Sequence, residues 1–108
     1  MSKLLKPVDF SKPIKLEVGS GGHPQPGYVH LDVDERMPDL HIQCDMGNEA
    51  IPLQNGSVDE ILSNHSIEHV SWLKVWFVVK EWARVLKPGG KLFMRTPDLE
   101  FICRTYLS

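Results

Sequence analysis

A short apolar run, residues 14–18, passes through Glu17 directly into Gly19-Ser20-Gly21-Gly22. Glycines at such a point let the backbone take positive φ and let another group approach without a Cβ in the way. A strand that breaks into a glycine turn is how open α/β sheets build a pocket at the carboxyl ends of their strands. The same four residues also make a plain tight turn, so the residues that follow at set distances must decide.

The next β-rich run is residues 28–33, YVHLDV, closing on Asp32. Only residues 19–27 separate it from the first, and Pro24 and Pro26 stand among them. A parallel crossover that carries a helix takes about 10–12 residues or more. An extended segment of this length still spans about 30 Å, enough to return along a short strand. The first crossover is therefore expected to be an extended loop without a helix. A nicotinamide fingerprint, G-x-G-x-x-G from Gly19, fails at Pro24 and lacks the helix that would carry the pyrophosphate.

Further along, residues 40–44 form a short third strand ending at Asp45, and residues 58–64 (VDEILSN) a fourth. Asn55-Gly56 marks a turn between them. Ser71 is placed to cap a helix over residues 72–86, which Lys87-Pro88-Gly89-Gly90 stops. Residues 91–96 (KLFMRT) make a fifth strand, and Asp98 can cap a last helix. Residues 1–13, with Pro7 and Pro13, read as an irregular lead-in whose Leu4, Leu5 and Phe10 are available to pack on the body. These runs read as an α/β chain of about five strands.

The 108 residues make one small domain, and 42% hydrophobic content with a net charge of -2 supports a core. A pI near 6.2 and the lack of any basic run give no strong nucleic-acid signal. No apolar stretch reaches membrane-spanning length, and MSKLLKPVDF has too short an apolar run for a signal peptide. Cys44 and Cys103 form no CxxC pair, which favours free thiols in a reducing, cytoplasmic setting.

Several positions carry chemistry. Asp32 can accept two hydrogen bonds from a ribose diol, or belong with Asp34 and Glu35 to a solvated turn. Asp45 can accept from an exocyclic adenine amine with Met46 against the ring face, or can cap a turn. His65-Ser66-Ile67-Glu68-His69 spells H-x-x-E-H, a zinc peptidase pattern with Glu68 as base. It follows a strand directly and lacks a third ligand in a supporting motif, so no metal is expected. The helix over residues 72–86 has apolar residues on nearly every face, three of them tryptophans. Trp72, Val75 and Trp82 are the expected excess, and an interface is the expected cover.

Taken in order, LEVGSGG, VHLDVD, CDM, GSVDEILSNHSIEHV and KEWARVLKPGGKLFMRTPD resemble class I S-adenosylmethionine-dependent methyltransferases. The likeness covers residues 14–98 and is nearest the type 11-like bacterial branch, with Pro26-Gly27-Tyr28 in place of the first helix. It implies a three-layer, Rossmann-like α/β domain with a mostly parallel sheet of about five strands in the order 3-2-1-4-5, and S-adenosylmethionine as cofactor. Glu17, Gly19, Ser20 and Gly21 would then lie around the methionine moiety, Asp32 at the ribose, Asp45 and Met46 at the adenine, and Asn64 facing the methyl group. His65 and His69 become candidate general bases, needed only if the acceptor must lose a proton. The resemblance also implies a C-terminal hairpin beside the fifth strand, which these residues lack. A homo-oligomer or partner subunit is the expected cover for that edge, and a non-catalytic binding or assembly module the alternative to an enzyme.

Overall fold

A computed structural model describes residues 2–22, 24–64 and 71–95, the side chains of Asn64 and Arg95 excepted. The elements are β1 (Lys3–Leu4), β2 (Lys15–Val18), β3 (Val29–Asp32), β4 (Ile42–Gln43), β5 (Val58–Asn64), α1 (Val75–Val85) and β6 (Leu86–Arg95). They form a six-stranded sheet in the order β1-β4-β3-β2-β5-β6. The five strands expected from the sequence are thus arranged as anticipated and pair in parallel. The sixth is a correction to the lead-in. Lys3 and Leu4 pair antiparallel with Gln43 and Ile42 at the sheet's edge. Leu4, Leu5 and Phe10 stay exposed, and it is Val8 that packs against the core.

Strand alternation sorts the side chains onto two faces. Leu16, Val18, Leu31, Ile42 and Ile61 join a buried cluster with Val78, Trp82 and Val85 of α1 and with Ile51 and Leu53. Those three helix positions, spaced four and three apart, form the stripe that an α-helix turns toward a sheet. Trp82 is therefore core, contrary to the expectation that it contributes exposed surface. Val75 is half-buried against the same cluster. The exposed apolar residues of this region are instead Trp72, Leu73, Trp76, Phe77 and Val79.

Both helix ends also differ from the sequence reading. Lys74 is the N-cap and has no side-chain cap; Ser71 contributes only its carbonyl, which accepts from Lys74 N–H at 2.8 Å. At the other end Leu86 is already extended, with ψ 138°, and begins β6. Val58 pairs with Leu86 and Glu60 with Lys91, so residues 87–90 bulge out opposite Asp59. Gly89 sits at φ 81°, which a residue with a Cβ adopts only under strain. The Pro-Gly-Gly stretch thus folds as a bulge inside a strand rather than as a helix-ending loop.

The loop between β2 and β3 contains no helix among its described residues, as the short spacing requires. Gly19, Gly21 and Gly27 take positive φ along it. The helix expected after Asp98 lies outside the described residues. Among these, α1 covers one sheet face and β6 is the strand at the other edge.

Candidate functional site

The carboxyl ends of β2, β3 and β4 lie side by side because these strands are parallel neighbours. Leu31 O accepts from Gly19 N–H at 2.8 Å and Ser20 N–H at 3.1 Å, which prolongs the β2–β3 contact into the turn. Asp32 Oδ2 accepts from Gly21 N–H at 2.9 Å, and Oδ1 accepts from Asp34 N–H at 3.1 Å. Asp32 O also accepts from Cys44 N–H at 3.0 Å, tying the end of β3 to the residue before Asp45.

These contacts separate Asp32 from the acidic residues around it. Asp34 is held by Arg36, whose Nε and Nη2 donate at 3.0 and 2.9 Å. That guanidinium pulls the Asp34 carboxyl down to about 2. Glu35 pairs with Lys3 at 3.2 Å. Of the three, it is Asp32 whose carboxylate turns to the glycine loop. Val33, next in sequence, leaves an apolar side chain 56% exposed beside it. Sequence reasoning passed over Val33; an apolar residue directly after the strand-ending acid was the available signal.

Glu17 is the buried acid of the site, with no exposed surface. It stands opposite His30 in the parallel register of β2 and β3. Glu17 Oε1 accepts from His30 Nδ1 at 2.8 Å and from Gln25 N–H at 3.0 Å. Because a carboxylate only accepts, the His30 proton on Nδ1 follows. His30 N–H in turn donates to His41 Nδ1 at 3.1 Å. Burial, helped by His30 and Lys6, holds the His41 imidazole below its usual range, which suits an accepting nitrogen. His30 and His41 had no place in the sequence-based site; what brings them in is cross-strand register, which composition does not reveal.

Among the described residues, Glu17 Oε2 and Ser20 Oγ are buried without a hydrogen-bond partner. Buried polar atoms are ordinarily satisfied, so these two beside the glycine turn are groups that a hydrogen-bonding ligand would pair. Asp45 begins a turn: its carbonyl accepts from Asn48 and Glu49 N–H at 3.0 and 2.8 Å, and its Oδ2 from Asn48 Nδ2 at 2.8 Å. The turn is thus opened by the Asp45 backbone carbonyl, while the Asp45 side chain meets only the Asn48 amide among the described residues. Lys74 Nζ donates to Asn48 Oδ1, linking that turn to the start of α1. Met46 is half-buried against the core cluster. Asn64 ends β5, next to β2, with its side chain outside the described residues. His65, Glu68 and His69 lie outside the described residues altogether. Among the described residues no group of His, Cys, Asp and Glu could hold a metal ion.

Residues 23–94 match the model of a family described as a methyltransferase domain. No curated protein is significantly similar to the chain in sequence. Among solved structures, the PH0226 protein of Pyrococcus horikoshii OT3 is 24% identical with a TM-score of 0.66, over 90% of this chain and 55% of that one. A Methanococcus maripaludis protein, described as an S-adenosyl-L-methionine-dependent methyltransferase, is 18% identical with a TM-score of 0.57, over 92% and 64%. The trans-methyltransferase CalH, solved in complex with SAH, is 17% identical with a TM-score of 0.56, over 76% and 31%. At such identities the likeness establishes the fold. The chain spans less than two thirds of the length of each of these proteins.

Proposed function

The chain belongs to this methyltransferase domain family, and we propose that it binds S-adenosylmethionine and transfers its methyl group to an acceptor. The observation that carries this reading is the convergence of Asp32 and the glycine loop, Oδ2 to Gly21 N–H at 2.9 Å, at the carboxyl ends of parallel strands. Open α/β sheets take their ligands there.

The residues present fit the cofactor. Gly19 and Gly21, with φ of 71° and 59°, form a turn in which no Cβ blocks approach to the backbone. Glu17 Oε2 and Ser20 Oγ, buried without a partner among the described residues, are the polar atoms assigned to the methionine moiety. Asp32 keeps lone pairs for a ribose diol, since each of its oxygens accepts one backbone N–H. Asp45 and Met46 are the residues for the adenine, with Val33 as a further apolar surface. When bound, the cofactor supplies a methyl group already activated on a sulfonium, so the chain's task is mainly to position and to exclude water. His65 and His69 are candidates for taking a proton from an acceptor that must lose one.

Calorimetry with S-adenosylmethionine and S-adenosylhomocysteine tests the reading. Binding by the wild type that falls at least about tenfold in Asp32→Ala is the expected result; no binding at millimolar ligand would overturn it. The alternative reading is a non-catalytic cofactor-binding module. Turnover assays across sugar, small-metabolite, protein and nucleic-acid acceptors separate the two, since the module binds without turnover.

Pairing with a second copy of the chain is also part of the proposal. It is supported by exposed Trp72, Leu73, Trp76 and Phe77 near and along α1, and by exposed Leu92, Phe93 and Met94 on β6. Strand edges and apolar patches of this kind are usually covered, and a two-fold axis lets one surface cover its own copy. Light scattering at high micromolar concentration is expected to give a dimer mass. A monodisperse monomer would overturn this.

A further inference from the structure

We propose that His30 is a positioning residue for the cofactor, acting through Glu17 on the loop of residues 19–27. This rests on the reading of the site as an S-adenosylmethionine pocket. The geometry is a chain of three contacts. His41 Nδ1 accepts from His30 N–H at 3.1 Å, and His41 N–H donates back to His30 O at 2.9 Å, which anchors His30 from the β4 side. His30 Nδ1 donates to Glu17 Oε1 at 2.8 Å, with the imidazole side chain 7% exposed and Glu17 fully buried. The same oxygen accepts from Gln25 N–H at 3.0 Å, and Gln25 belongs to the glycine loop.

Both donors converge on Oε1, so the carboxylate is held at one oxygen while the other, Oε2, has no partner among the described residues. A buried carboxylate that lost the imidazole would be under-satisfied at Oε1. It would rotate to share Gln25 N–H between its oxygens. That rotation draws Oε2 from its place beside the glycine turn, and the link from Gln25 through Glu17 to β3 is lost, while Gly19, Ser20 and Gly21 stay bonded to β3. His30 thereby sets both the rotation of Glu17 and the seat of Gln25 without itself being placed at the ligand. The pairing depends on register: a slip of one residue between β2 and β3 would put an apolar side chain opposite Glu17.

The experiment compares two nucleosides on the 108-residue chain by calorimetry. S-adenosylhomocysteine carries the amino-acid end; 5′-methylthioadenosine lacks it. His30→Phe keeps a flat ring but no donor, and is expected to weaken S-adenosylhomocysteine about tenfold to a hundredfold while 5′-methylthioadenosine changes little. His30→Asn sets an amide nitrogen where the imidazole has Nδ1, and is expected to return S-adenosylhomocysteine affinity to within about threefold of wild type. His30→Gln, whose nitrogen lies nearer the Nε2 position, is expected to behave like His30→Phe. The Asn and Gln pair decides the matter even if the Phe variant does not fold. Equal weakening of both nucleosides, or no difference between Asn and Gln, would overturn the positioning role. A wild-type chain that binds neither nucleoside would instead overturn the pocket reading on which the role rests.

Discussion

Arg84 and Glu81, one turn apart on α1, form a paired clamp on the segment before β5. Arg84 Nε donates to Glu81 Oε2 at 2.7 Å, and Arg84 Nη1 to Leu53 O at 2.8 Å and Asn55 Oδ1 at 2.9 Å. Arg84 Nη2 reaches Ile51 O at 2.8 Å, while Glu81 Oε1 accepts from Ile51 N–H at 2.8 Å. The clamp presses Ile51 and Leu53 into the buried cluster. Arg84→Met keeps the aliphatic stem but strands two carbonyls and a carboxylate. It is expected to cost about 2 kcal/mol in urea unfolding, where a neutral result would mean water replaces the guanidinium freely.

The same clamp predicts a pH dependence. Hydrogen bonding from Arg84, then from Ile51 N–H, holds the Glu81 carboxyl below its usual value of 4.5, with burial opposing in between. A carboxyl depressed in the folded state stabilises fully above its unfolded value and loses that stabilisation as pH falls through its folded value. Thermal melts from pH 7 to pH 3 are therefore expected to fall less steeply below about pH 4.5 in Glu81→Gln than in wild type. Parallel curves would remove Glu81 from the acid response.

Gly21 sits at φ 59°, and a Cβ built there meets nothing within 4 Å. Conformation rather than crowding then sets the penalty. Gly21→Ala is expected to lower stability by about 1–2 kcal/mol and Gly21→Asn by less, because Asn tolerates the left-handed region. Equal losses in the two variants would point to a requirement other than φ.

Gly90 presents the opposite case. A Cβ there would lie 2.9 Å from Lys87 O and from Leu86 Cδ2, and 3.2 Å from Asp59 O. Two of those atoms are backbone, so the bulge has to open to make room. Gly90→Ala is expected to cost about 2–3 kcal/mol in chemical denaturation and to do so without any strain in φ. Wild-type stability in that variant would show that the bulge yields easily.

Cys44 is buried, and its surroundings push the thiol up to about 12 through desolvation first and then Glu49 and Asp45. The thiolate is the reactive form, so Cys44 is expected to resist an aromatic disulfide reagent at pH 8. Measured in Cys103→Ser, where it is the remaining thiol, labelling should become complete only in denaturant. Rapid labelling of the folded chain would mean local opening around β4.

Five of the six strands and the helix-free first crossover were legible in the sequence because each depends on local pattern, whereas the edge strand Lys3–Leu4 was not, being held by its pairing with Ile42 and Gln43. Alternating β-rich runs, a glycine turn and the count of residues between two strands act over a few positions. The acid at each strand end was legible for the same reason: Glu17, Asp32 and Asp45 stand at fixed offsets from turns. What those acids touch was not. Asp32 turns to Gly21 while Asp34 turns to Arg36, although both are aspartates two residues apart. Glu17 meets His30 because β2 and β3, on either side of the glycine loop, pair in one register. Trp82 is buried and Trp72 and Trp76 are exposed, though all three belong to one aromatic-rich stretch. Local pattern sets which residues form strand, turn or helix. Which of two like side chains is buried, paired or left to a ligand depends on how the elements pack across the sheet, and only the tertiary structure decides that.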